Sequence, residues 1–219
     1  MSRRAIITIL ALFALVATIV LLLPQRAMVK NFPPHGSTVV VLGDSIAAGV
    51  GASASEKGFV SVLSARLNTP IVNAGKSGDT TADGLARFET DVLAHDPDIV
   101  VIELGGNDHL KRVPPEQTFE NLGALVAQAQ AKGAVVIVLG IRGGLFADGF
   151  DDRFEALAET CGCVFVPDIL SGIFGDGRSM ADAVHPNDRG HEKIADKVAP
   201  VLEGILVSVV PENGGSVAQ

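Results

Sequence analysis

The sequence predicts an α/β domain, a three-layer αβα sandwich around a mostly parallel five-stranded sheet. Two observations lead there. Five short apolar runs recur along the chain, each followed by a longer stretch with helical periodicity. Glycine and polar residues gather immediately after each apolar run, where the loops at the carboxyl ends of parallel strands would lie.

The apolar runs are "TVVVLG" (38–43), "IVNAG" (71–75), "DIVVIELG" (98–105), "AVVIVLG" (134–140) and "CVFVPD" (163–168). Each is continuous rather than alternating, the pattern of a strand covered on both faces. The intervening stretches "VSVLSARL" (60–67), "ADGLARFETDVLAH" (82–95), "PEQTFENLGALVAQAQAK" (115–132), "DRFEALAET" (152–160) and "DRGHEKIADKVAPVLEGIL" (188–206) read as helices. Asn187 is placed to cap the last of them. The domain is expected over 38–206, with a flexible tail at 207–219.

The amino-terminal part differs in kind. Ala5 to Pro24 carries no charged residue, preceded by Arg3 and Arg4 and followed by Arg26 and Lys30. About 20 apolar residues suffice to span a bilayer as a helix. A cleaved signal peptide would have a shorter apolar region and a small-x-small site. Ala27 is small, but Gln25 stands where the second small residue would be. Residues 1–30 therefore read as a signal anchor, with a cleaved signal as the alternative, and 31–37, containing Pro33, Pro34 and Gly36, as a linker. The basic pair before the apolar run favours a cytoplasmic start, with the domain in the periplasm or outside, or secreted if the segment is cleaved.

The formal net charge is −8. Residues 1–30 hold four of the 17 basic residues and no acid, which leaves 13 basic against 25 acidic residues, a net of −12, on the rest. A chain so acidic has no basic surface for nucleic acid. Cys161 and Cys163 form a C-x-C pair, too short a ring for an unstrained disulfide and too few ligands for zinc. They read as small residues entering a buried strand.

The loop after the first strand begins Gly43-Asp44-Ser45. A lone hydroxyl held up on a turn is a weak nucleophile without a base. Of the five histidines, His35 lies in the linker, His95 at a helix end, and His191 on the last helix, where a surface position is expected. His109 follows Asn107-Asp108 and is near the same strand end. His185 stands out because Asp182 precedes it by three residues in one loop, a spacing that lets a carboxylate fix the imidazole tautomer. Donors for a developing oxyanion are the backbone N–H of Ser45, that of Gly78 in "SGD", and the side-chain amide of Asn107 after Gly105-Gly106. Asp44 is expected to organise the turn.

Taken in order, "GDSI" (Ser45), "SGDTT" (Gly78), "GGND" (Asn107) and "DAVHP" (Asp182, His185) resemble the four blocks of the GDSL or SGNH hydrolases, over about residues 38–205. "NAGKSGDTTADGLAR" and "VIELGGNDHL" look like the branch containing thioesterase I, lysophospholipase L1 and arylesterase. The resemblance implies the flavodoxin-like arrangement of that family and a serine esterase acting on carboxylic esters or thioesters through an acyl-serine. Its catalytic residues would be Ser45, Asp182 and His185, its oxyanion donors Ser45, Gly78 and Asn107. It implies no metal or cofactor and a small acyl ester or lipid as substrate; a monomer is the separate expectation for the chain. Two departures stand out. The first block ends in Ile46 rather than Leu. The loop after the fourth strand, "IRGGLFADGFDDRF", lacks the Pro-x-Asn-Tyr-Gly element of that branch, so the resemblance does not fix the substrate; Leu145, Phe146 and Phe150 are read either as an apolar wall of the site or as packing at the base of this loop.

Other readings remain. The same site would suit a deacetylase of O-acetylated envelope polysaccharide, and a tethered lipid- or carbohydrate-binding module is the non-enzymatic alternative. A metal set of Asp182, His185 and His191 would leave the serine and the amide donors unexplained. "VNAGKS" is not a phosphate loop, because Pro70 stands where the first glycine is required, and no G-x-S-x-G elbow occurs.

Overall fold

A computed structural model describes residues 28–141 and 150–209. The apolar run 5–24, Leu145 and Phe146, and the tail from 210 lie outside the described residues. Among the described residues, no helix is long and apolar enough to cross a membrane.

Strands β1 (Val39–Gly43), β2 (Ile71–Gly75), β3 (Ile99–Glu103), β4 (Val135–Leu139) and β5 (Val164–Val166) form one sheet in the order β2-β1-β3-β4-β5. Every pairing is parallel. The seven α-helices of the described residues are α1 (Phe59–Arg66), α2 (Thr81–Ala86), α3 (Phe88–Asp91), α4 (Gly106–Leu110), α5 (Pro115–Ala131), α6 (Phe150–Cys161) and α7 (Asp188–Leu206). The α/β architecture expected from the sequence is the one observed.

The continuous apolar runs have a direct explanation. Side chains alternate across the sheet, so Val39, Val41, Ile99, Val101, Val135 and Ile137 enter one core with α1 and α7. Val40, Leu42, Val100, Ile102, Val136 and Val138 enter the other, beneath α3, α5 and α6. All five residues of β1, β3 and β4 are buried. β2 departs from the expectation. Its residues are half-buried or exposed, because it is an edge strand and β1 covers only one of its sides.

The stretch 82–95 is not one helix. It breaks into α2, α3 and a 3-10 turn at Leu93–His95, with Arg87 in a non-helical conformation between the first two. α2 opens with a full capping box, Thr80 and Asp83 each bonding the other's backbone. Helix α4 is a further element, short and set directly after β3.

Residues 28–37 lie along the sheet's amino end. Lys30 N–H donates to Gly162 O, and the Asn31 side-chain amide donates to the carbonyls of Gln130 and Ala134, just before β4. Cys161 and Cys163 are both free thiols. Cys163 is buried beside the start of β5, and burial pushes its thiol up to about 12.

The last row of the sheet supports the turn after β1. Gly43 pairs with Gly75 on one side and Glu103 on the other. A Cβ on Gly75 would lie 2.3 Å from Ala48 N and 2.6 Å from the Ala47 carbonyl carbon. The turn thus rests directly on the last residue of β2.

Candidate active site

Three strand-end loops and one long loop meet over the carboxyl edge of the sheet. The first is the turn after β1. Asp44 Oδ1 accepts from Ile46 N–H at 2.9 Å, closing the turn around Ser45. Val50 N–H returns to Ser45 O. The backbone N–H of Ser45 has no acceptor among the described residues.

The long loop between β5 and α7 brings Asp182 and His185. Ala181 N–H donates to His185 O and Asn187 N–H to Ser179 O, so the chain doubles back and presents Asp182 to His185 at its tip. Asp182 Oδ1 accepts the N–H groups of Val184 and His185, both at 2.8 Å. Its Oδ2 lies 2.8 Å from His185 Nδ1, and His185 Nε2 lies 3.1 Å from Ser45 Oγ. With the proton on Nδ1 donated to Asp182, Nε2 is left to accept from the serine hydroxyl.

These two loops are far apart in sequence and are locked together by contacts that the sequence does not disclose. Asp188, the first residue of α7, accepts from Ser53 N–H and Ser53 Oγ, each at 2.7 Å. His191 is fully buried, contrary to the surface position expected for it, and its Nε2 lies 3.1 Å from Val50 O. That bond puts the proton on Nε2, and burial lowers the pKa of the ring, which favours the neutral form. Gly51 has φ +92°, and a Cβ there would meet Pro186 O at 2.2 Å. Only glycine allows the Ser45 loop to lie against the His185 loop here. Among the described residues no three His, Cys, Asp or Glu side chains are grouped to hold a metal ion.

Gly78 supplies a second N–H without an acceptor among the described residues. Its φ is +85°, and a Cβ would meet nothing within 4 Å. The glycine is required by backbone conformation there rather than by crowding. Lys111 Nζ holds the Gly78 carbonyl at 2.8 Å. Asn107 opens toward the same place from the first turn of α4, but its amide donates to Asp44 Oδ2 and to Asp79 O, each at 3.0 Å. It thereby ties the loops after β1 and β2 together.

Arg87 braces these loops from behind. Its Nε lies 2.6 Å from Asp79 Oδ2, and a terminal nitrogen donates to Gly43 O at 3.1 Å. Asp108, fully buried, receives Thr81 N–H and the Thr81 and Thr118 hydroxyls, joining α2, α4 and α5.

Ser45, Gly78, Asn107 and His185 line one cavity of about 240 Å³. Its apolar side is Ile46, Leu110, Ile141, Leu170, Phe174 and Val184. Of the two readings for Phe150, wall of the site or packing at the loop base, the structure shows the second, and the residue lies behind this wall. Its ring packs edge-on against His109, Phe119 and Phe154, and it borders a separate cavity of about 530 Å³ beyond Leu110. It starts α6 and is drawn into the core by that aromatic cluster. Ile141, Leu170 and Phe174 also sit just past strand ends. They are apolar, and a search for polar and glycine residues at those ends passes over them.

A family model for GDSL-like lipases and acylhydrolases matches residues 41–193. The chain belongs to this family. It is similar to the esterase TesA of Pseudomonas aeruginosa, with 37% identity over 180 residues, 77% of this chain and 89% of that one. It is 32% identical over 177 residues to the thioesterase 1/protease 1/lysophospholipase L1 of Escherichia coli, covering 77% of this chain and 85% of the relative. A crystal structure of TesA superposes with a TM-score of 0.72 at 37% identity, covering 77% of this chain and 99% of that one. The chain is an ester-bond hydrolase of the serine type.

The Asp182 carboxyl is held down to about 2, first by its hydrogen bond to His185 and then by the N–H groups of Val184 and His185. Its ordinary value is 3.8, so the folded value lies below the unfolded one. What the ionised carboxylate contributes is therefore fully present above the ordinary value and is lost only as pH falls through about 2. Between about pH 5 and 9, no limb of the rate profile comes from Asp182. Asp182→Asn is expected to lower kcat roughly 100-fold or more across that range, as read from initial rates on a chromogenic ester.

Proposed function

We propose that the chain hydrolyses carboxylic esters or thioesters of apolar acyl groups through an acyl-serine on Ser45. The observation that carries this reading is the line Asp182–His185–Ser45, with contacts of 2.8 and 3.1 Å, ending in a cavity beside two N–H groups that lack acceptors among the described residues.

His185 Nε2 takes the hydroxyl proton as Ser45 Oγ attacks the carbonyl carbon. Asp182 holds the ring and stabilises its cationic form. Negative charge gathers on the carbonyl oxygen and is met by the N–H groups of Ser45 and Gly78, donors of a kind each worth about 3 kcal/mol in such sites. Asn107 joins them by turning one amide hydrogen away from Asp79 O. The tetrahedral intermediate collapses as His185 passes its proton to the leaving alcohol or thiol. Water then enters, loses a proton to the same ring, and releases the acid from Ser45.

The wall of Ile46, Leu110, Ile141, Leu170, Phe174 and Val184 favours an acyl chain over a bare acetyl group, since burying each methylene is worth about 0.8 kcal/mol. Turnover of p-nitrophenyl esters is expected to rise from acetyl to medium chains and to vanish in Ser45→Ala. Turnover confined to acetyl would point to a deacetylase, and equal rates in wild type and Ser45→Ala to a binding module.

The location follows from the amino-terminal run. We place residues 5–24 as an anchor with the catalytic domain outside the cytoplasm. The docked segment at Lys30 and Asn31 lies at the sheet's amino end, and Ser45 at the carboxyl end. Anchored through this segment, the chain would hold its cavity away from the bilayer and draw substrate from the aqueous side. The full chain is expected to stay with membranes through an alkaline carbonate wash. Recovery in the soluble fraction, shortened at its amino end, would mean the segment is cleaved.

A further inference from the structure

Glu103 ends β3 and is fully buried under the Ser45 turn. The steps described for ester hydrolysis do not use it. Its Oε2 accepts the N–H of Asp44 at 3.3 Å and of Ala47 at 3.2 Å, one on each side of Ser45. Its Oε1 receives no hydrogen bond from any N–H or hydroxyl donor among the described residues. Its carboxyl lies beside that of Asp44, near enough for the charge of one to act on the other.

Two carboxylates buried side by side repel each other unless one of them holds a proton. The placement of donors decides where it sits. Both Asp44 oxygens have donors, Ile46 N–H on Oδ1 and the Asn107 amide on Oδ2. Glu103 has backbone donors on one oxygen only. An ionised Glu103 would leave a buried charged oxygen without a donor, which is costly. The other charged or titratable groups nearby face Asp44 and Gly43 rather than Glu103. His185 and Asp79 act on Asp44, and Arg87 bonds Gly43 O. Burial first, and then the charge of Asp44, hold the Glu103 carboxyl well above the ordinary carboxylate range.

We propose that Glu103 is a positioning residue for ester hydrolysis, a neutral carboxylic acid that donates to Asp44 while its other oxygen pins the backbone on both sides of Ser45. This rests on Ser45 being the nucleophile. The proton on Glu103 keeps Asp44 a carboxylate. Asp44 in turn holds the Asn107 amide and closes the turn that aims Ser45 N–H. Glutamine has the same shape, the same acceptor and a fixed N–H donor, whereas leucine has neither.

The test compares Glu103→Gln, Glu103→Leu and Ser45→Ala in the full chain, with kcat and KM on a p-nitrophenyl ester and the rate of covalent phosphorylation by a p-nitrophenyl phosphotriester. Glu103→Gln is expected to keep kcat within about 3-fold, and Glu103→Leu, still folded by circular dichroism, to lose about 100-fold in kcat and in phosphorylation rate with KM nearly unchanged. The proposal is overturned if Glu103→Leu folds and keeps kcat, or if Glu103→Gln falls as far as Glu103→Leu. Should Glu103→Leu fail to fold, Glu103→Gln decides alone: retained kcat supports the neutral acid and a loss of about 100-fold overturns it. Turnover in Ser45→Ala would instead remove the reading of the site on which the proposal stands.

Discussion

The Asp44 carboxylate accepts Ile46 N–H through one oxygen and the Asn107 amide through the other, and so joins the loop after β1 to the loop after β3. Parallel strands end side by side but nothing in their pairing fixes the loops beyond them. Here the fixing is done by polar side chains buried at that edge. Asn107 reaches on to Asp79 O, Arg87 reaches from Asp79 back to Gly43 O, and Glu103 lies beneath the turn. The hydroxyl of Ser45 is held above this closed ring. Buried polar groups of this kind rigidify a site when satisfied and are costly when broken.

The second constraint brings in His185. Asp182 and His185 lie far along the long loop after β5, and their local pairing orients the ring without locating it. Location comes from Ser53 on Asp188, Val50 on His191, and the glycine-only approach of Gly51 to Pro186. The 3.1 Å contact from His185 to Ser45 is thus maintained by residues on either side of both partners. Asp182 itself is half exposed, and its three hydrogen bonds hold its carboxyl below the ordinary value.

Much of this is legible in the sequence, for physical reasons. Strands covered on two faces read as unbroken apolar runs, and all five runs match observed strands to within a residue or two at most of their ends. Ser45, Gly78, Asn107 and His185 each follow a strand, and parallel topology brings such positions to one edge. What the sequence hides depends on partners distant along the chain. His191 reads as a surface residue because nothing in α7 discloses that Val50 O lies against it. The stretch 82–95 has helical periodicity, yet Arg87 leaves the helix, and its side chain meets Asp79 and Gly43 O. Glu103 is one acid in an apolar run, and its role depends on Asp44, 59 positions away. Phe150 follows a glycine-rich loop, which leaves cavity wall and loop-base packing both open in the sequence. Phe119 and Phe154, distant along the chain or hidden in a helix, decide for the core.

The whole mechanism turns on Ser45, activated by His185, carrying the acyl group. Intact-protein and peptide mass spectrometry after brief mixing with a p-nitrophenyl ester and acid quench would observe that step itself. An acyl mass is expected on the peptide containing Ser45, present in the wild type, absent in Ser45→Ala and slow to appear in His185→Ala. Turnover of the ester with no adduct at Ser45, or an adduct that forms equally fast in His185→Ala, would rule the mechanism out.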